Sequence, residues 1–246
     1  MSDFSQNGII SNLHDFGTKN TKEIEIELKK FSKERKMELI LPSLYSELEG
    51  DALPKIVEEI SKTNYLNHII VGLDKAKKND AKKAWRFFKK LKTPFTILWN
   101  DGPKLKKLDD ELKKKDLAPN HYGKGRNVWY CLGMCIARDE ARSVALHDCD
   151  IKTYDRRMLA KLFYPVVNPM FNFEFCKGYY PRVSQNRMGG RVARLLVFPL
   201  ITALEKTIGK SDYLEFMKSF KYPLAGEFSF RRNILPELRI SSDWGI

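Results

Sequence analysis

No run of apolar residues in this sequence approaches membrane-spanning length, which excludes a helical span. Met1–Phe16, "MSDFSQNGIISNLHDF", has no basic start followed by an apolar core, so no secretory signal is read there. The four cysteines, Cys131, Cys135, Cys149 and Cys176, never pair as CxxC. They read as reduced thiols of a cytoplasmic protein, and Cys131 and Cys135, four apart on a helix, as packing residues. The sequence has no internal repeat, no low-complexity linker, no full Walker pattern and no recognised RNA- or DNA-binding motif.

What is present is a chain of 246 residues, 43% of them hydrophobic, enough for one large domain or a domain with an added lobe. The formal charge is +13, and the stretch from Lys75 to Lys115 alone carries +10 of it. In that stretch Ala84, Trp85, Phe88 and Leu91 fall on one helical face, as do Leu105, Leu108 and Leu112. The lysines occupy the other faces. They read as solvated helix surface, with attraction of small anions as a second use. Nucleic acid is not the expected partner.

Short apolar runs alternate with helical patterns. Met37–Pro42, His68–Leu73, Phe95–Trp99, Ser143–Asp148 and Phe173–Gly178 read as strands. Helices are expected at Leu53–Lys62, around Trp85, through the lysine-rich segment and at Gly123–Asp139. This order predicts an α/β fold, a mostly parallel sheet covered on both faces. Residues 1–35 read as a polar helical extension before a domain at 36–246. Ligands of such sheets bind beyond the C-terminal ends of the strands.

Those ends carry the candidate chemistry. "SVALHDCD" brings out Asp148 and Asp150 after the fourth strand. Side chains at i and i+2 of an extended segment share a side, so the two carboxylates can hold one hard cation, Mg²⁺ or Mn²⁺, carrying a diphosphate. A capping acid and a turn acid before the helix near Arg156 would give the same letters. "LPSLYSE" supplies Pro42, Leu44 and Glu47, and "GLD" supplies Asp74. Either acid could accept hydrogen bonds from a nucleoside or cap a helix. "GKG" sets Lys124 between two glycines before a helix, as an anion donor or a plain surface turn. In "NRMGGRVARLL", Gly189, Gly190 and Arg191 precede or begin a helix, an anion-site pattern that also fits a plain loop-to-helix junction. Glu227 in "YPLAGEFSFRR" sits in an apolar setting and needs a partner there, so it reads either as a catalytic-site acid or as half of a salt bridge with Arg231 or Arg232.

Together these motifs, with "FCKGYYPR", resemble the glucosyl-3-phosphoglycerate synthases in order and approximate spacing over about Leu39–Ile246. That family is of retaining glycosyltransferases of the GT-A type. KGYY, GGRV and PLAGE are its more specific motifs. The resemblance implies transfer of glucose from UDP-glucose to the 2-hydroxyl of 3-phosphoglycerate. Pro42, Leu44, Glu47, Asp74 and Lys124 would hold the nucleotide, and Asp148 and Asp150 the metal and diphosphate. Gly190 and Arg191 would hold the acceptor, and Glu227 would orient a sugar hydroxyl, making Glu227 and Asp150 the expected catalytic pair. Family members are commonly homodimers. Mannose transfer, another small anionic acceptor, or a silent nucleotide-sugar-binding protein would use the same motifs.

Two departures matter. Ala193 stands where the family often has threonine. The family's later segment, with a histidine of the metal site, is expected beyond "SSDWGI", and none of His14, His68, His121 and His147 matches that ligand. The expectation is weak UDP-sugar binding with slow turnover or none.

Overall fold

The structure is a computed structural model that describes residues 20–119, 121–180 and 191–241, and the strand backbone at 10–11, 183–184 and 187–188. The described strands are β1 (Ile10–Ser11), β2 (Met37–Leu44), β3 (His68–Asp74), β4 (Phe95–Trp99), β5 (Ser143–Leu146), β6 (Phe175–Lys177), β7 (Val183–Ser184), β8 (Arg187–Met188) and β9 (Phe228–Arg231). Seven form one sheet in the order β1-β6-β9-β5-β2-β3-β4, and β7 pairs separately with β8. Every pairing in the large sheet is parallel except the two made by β9.

The helices are α1 (Thr21–Phe31), α2 (Ala52–Ser61), α3 (Lys78–Phe88), α4 (Pro103–Lys113), α5 (Lys124–Arg138), α6 (Arg156–Val167), α7 (Phe198–Ile208) and α8 (Asp212–Ser219). The alternation of side chains along the buried strands sorts them into two layers. Leu39, Leu41, Ile69 and Val71 face α1, α2 and α6, while Ile40, Ile70, Val144 and Leu146 face α5. The expected fold class, a mostly parallel sheet with helices on both faces, is the one observed.

α1 shares this core. Ile24 and Leu28 are buried with residues of α6, and Glu25 pairs with Arg156 Nε at 3.1 Å. On the lysine-rich helices two expectations need correction. Trp85 is 49% exposed, with the Lys89 ammonium 4.1 Å from its ring, because Ala84 and Phe88 already define the packed face of α3. Leu108 is exposed as well, and α4 is anchored by the buried Asp109 instead. Asp109 accepts from the Tyr130 hydroxyl and pairs with Arg126 at 3.2 Å and Lys113 at 2.7 Å. Burial alone would raise this carboxyl. The hydrogen bonds from Lys113 and Tyr130 and the Arg126 charge outweigh it and hold its pKa below the usual value.

Candidate active site

The reversed strand decides which residues meet. Leu146 of β5 lies opposite Phe228 of β9, so the residue before β9, Glu227, arrives beside those after β5, His147 and Asp148. β6 ends with Lys177, also opposite Phe228, and Gly178 N donates to Glu227 O at 2.7 Å. Asp148, Lys177 and Glu227 thus converge at the C-terminal ends of the parallel strands.

Lys124, the first residue of α5, donates to the Asp148 carboxylate. Gly226 packs on the same carboxylate, and a Cβ there would collide with it. The lysine is aimed by the docking of its helix. Asn127 Nδ2 donates to Gly72 O in β3 at 2.9 Å, and Gly72 leaves the space that the Asn127 amide fills. The neighbouring Arg126–Asp109 pair ties α5 to α4.

Glu47 spends one oxygen on the turn after β2, where Leu44 N donates to Oε2 at 3.0 Å. Burial raises its pKa, and the charges of Asp150 and Asp148 push the same way. Three carboxylates therefore share one negative field. Asp150 itself is exposed, because the chain turns at Cys149–Asp150 instead of continuing as a strand. Asp74 accepts from Lys75 N at 3.1 Å, and burial raises it too. Pro42 does not mark the exit of β2, which runs on to Leu44. β5 pairs with β2 only as far as Ile40, so the missing amide of Pro42 falls where that edge has no partner strand.

Asp148 and Asp150 offer hard oxygen donors of the kind that suit Mg²⁺ or Mn²⁺. Among the described residues no third His, Cys, Asp or Glu completes a metal-binding group with them. His147 is fully buried against the Tyr154 ring (centroids 5.3 Å apart), and burial lowers its pKa to about 3. Successive strand residues point to opposite sides, so it turns away as Asp148 turns in. Arg191 is exposed at the start of the helical segment leading to α7, and Ala193 is buried in it. Gly189 and Gly190 lie outside the described residues.

Sequence reasoning missed Lys177. It is half-buried, with its ammonium 5.5 Å from the centre of the Phe228 ring. Burial lowers its pKa to about 8; Glu227 and Asp148 oppose that shift and Lys124 adds to it. Only the topology reveals this neighbourhood, since residues 124, 148, 177 and 227 are far apart along the chain.

A mostly parallel sheet that gathers acids and a lysine at its strand ends, one acid delivered by a reversed strand, has the layout of a site for a small charged ligand. The comparisons then narrow the class. Over all 246 residues the chain is 44% identical to a protein of Persephonella marina named glucosyl-3-phosphoglycerate synthase, of which it covers 61%. Over 241 residues, 96% of the chain, it is 37% identical to a protein of the same name from Methanococcoides burtonii, of which it covers 58%. The chain is thus homologous along its whole length to glucosyl-3-phosphoglycerate synthases and spans about three fifths of these relatives. A Mycobacterium tuberculosis glucosyl-3-phosphoglycerate synthase, solved with Mn²⁺, UDP and phosphoglyceric acid, shares the fold (TM-score 0.58, 20% identity, 89% of this chain and 64% of that one). So does mannosyl-3-phosphoglycerate synthase of Rubrobacter xylanophilus (TM-score 0.58, 20% identity, 90% of this chain and 61% of that one). No family model matches the chain.

Proposed function

We propose that this chain carries the substrate-binding domain of a metal-dependent glycosyltransferase that moves glucose from UDP-glucose to 3-phosphoglycerate with retention. The observation that carries the reading is the 44% identity over the whole chain to a glucosyl-3-phosphoglycerate synthase. The charged cluster at the strand ends agrees with it.

In this reading Pro42, Leu44, Glu47 and Asp74 border the nucleoside. Asp148 and Asp150 hold Mn²⁺ or Mg²⁺, whose bound charge would neutralise the leaving diphosphate. Lys124, already beside Asp148, adds a protein cation to the same task. Glu227 accepts from a sugar hydroxyl, and Gly190 and Arg191 meet the acceptor. Mannose transfer is the second reading. The Rubrobacter xylanophilus mannosyl enzyme matches the chain with the same TM-score of 0.58 as the glucosyl enzyme, so the fold does not choose the sugar.

A donor and acceptor panel tests the reading. UDP-glucose, UDP-mannose and GDP-mannose are each paired with 3-phosphoglycerate, 2-phosphoglycerate and glycerate, with nucleotide release as the readout and calorimetry for binding. Metal-dependent UDP binding with preference for UDP-glucose and 3-phosphoglycerate supports it. Binding without release for any pair points to a silent nucleotide-sugar-binding protein. Absence of UDP binding with Mn²⁺ present sinks it.

A further inference from the structure

Beside the reaction centre a cavity of about 460 Å³ opens between the β6–β9 face and the chain after β9. Phe175, Phe228, Leu238 and Ile240 form apolar walls, and Lys177 and Arg239 bring two cations to it. No acidic residue among the described residues lines it. The Lys177 ammonium rests on the Phe228 ring, and among the described residues neither it nor the Arg239 guanidinium makes a hydrogen bond or ion pair. A half-buried ammonium has lost part of its hydration and regains it best from an anion. A half-buried ammonium and an exposed guanidinium on one cavity without a lining acid describe a site for a small anion, and the volume lies in the range of small-molecule sites.

The position of the cavity suggests which anion. Lys177 belongs to both places: it lines the cavity with Arg239, and its charge interacts with Glu227 and Asp148. A sugar held at Glu227 would turn its reacting carbon toward an acceptor hydroxyl close by. The acceptor's charged groups must then extend away from the diphosphate, which would repel them, and the cavity offers them two cations. We infer that Lys177 and Arg239 bind one anionic group, carboxylate or phosphate, of a small phosphorylated acid acceptor, while the donor diphosphate is held separately at Asp148 and Lys124. This rests on the proposed transferase reading. A three-carbon phospho-acid has two anionic ends, so Arg191 can serve the second.

The test is a pair of titrations on the 246-residue chain, each with Mn²⁺ present. UDP is titrated first, then 3-phosphoglycerate into the UDP-saturated protein. Lys177→Met and the exposed Arg239→Ala should each weaken 3-phosphoglycerate by about tenfold or more, the usual loss for a charged hydrogen bond. Both should leave UDP affinity within about twofold, and Lys177→Arg should recover most of the loss. Unchanged 3-phosphoglycerate affinity in both variants overturns the inference. So does equal weakening of UDP, which would make Lys177 a donor residue. If the wild-type chain binds UDP but not 3-phosphoglycerate, the inference fails while the donor site stands. If it binds neither, the transferase reading has failed first. Arg239→Ala, at an exposed position, keeps the test valid if Lys177→Met unfolds.

Discussion

Lys124 and Asp148 are ion-paired at the mouth of the sheet, the lysine from the first turn of α5 and the aspartate from just beyond β5. A cation of the protein thus occupies one of the two carboxylates proposed to hold the metal. Asp150 is exposed and makes no such pair among the described residues.

That arrangement separates the two aspartates experimentally. Asp150→Asn should weaken UDP binding in Mn²⁺ and leave it unchanged in EDTA, because only a metal contact is removed. Asp148→Asn should also weaken it in Mn²⁺, yet strengthen it modestly in EDTA by releasing Lys124 to the diphosphate. Calorimetry in both buffers reads the difference. Identical affinities with and without metal, in wild type and variants alike, would remove the metal from the site.

Much of the fold was legible in advance, and the reason is local. β2 and β3 are buried on both faces, so Leu39–Pro42 and Ile69–Leu73 read as short apolar runs, and α2 and α5 announce themselves by periodicity. Acids and Lys124 at strand ends could be named for the same reason. The failures are non-local. Lys177 matters because β9 runs backwards and brings Phe228 and Glu227 alongside it, which no short window of sequence records. Trp85 has the right spacing for a core face, but Ala84 and Phe88 already fill the helix's contact with the sheet. Asp109, buried on a lysine-rich helix, could be read only once Arg126 and Tyr130 were placed against it.

Asp109 gives a stability prediction with a defined sign. Its folded-state pKa is lowered, so its contribution is present above the unfolded carboxylate value and is lost as pH falls through the folded one. Asp109→Asn leaves Arg126 buried without its counter-charge, which typically costs about 3 kcal/mol. Denaturant melts should show that loss at pH 7, with the gap between wild type and variant closing below about pH 4. A gap that widens on acidification contradicts the assignment.

The cysteines should be inert in the folded protein. All four are buried thiols outside any disulfide. Burial pushes the thiols of Cys131, Cys135 and Cys149 above their ordinary range. Ellman's reagent at pH 8 should find almost no reactive thiol until denaturant is added, then four. Fast labelling of Cys149 without denaturant would mean that the Asp148–Asp150 turn opens in solution.

Gly72 links the core to the site. A methyl group there would collide with both the Asn127 amide and Cys131 Sγ. Asn127 is in α5, whose first residue is Lys124, so the collision displaces the residue that pairs with Asp148. Gly72→Ala should therefore cost about 1–3 kcal/mol by overpacking and also weaken UDP binding, although residue 72 touches no proposed ligand. Asn127→Ala alone removes its bond to Gly72 O and should destabilise the protein as well. In the double variant the new methyl occupies the space that the amide vacates. The two losses should then fall short of their sum by at least about 0.5 kcal/mol, the signature of residues in contact. Thermal melts and UDP titrations of the four proteins complete the cycle. Strict additivity, or a Gly72→Ala protein that loses stability while binding UDP normally, would show that α5 can shift without moving Lys124.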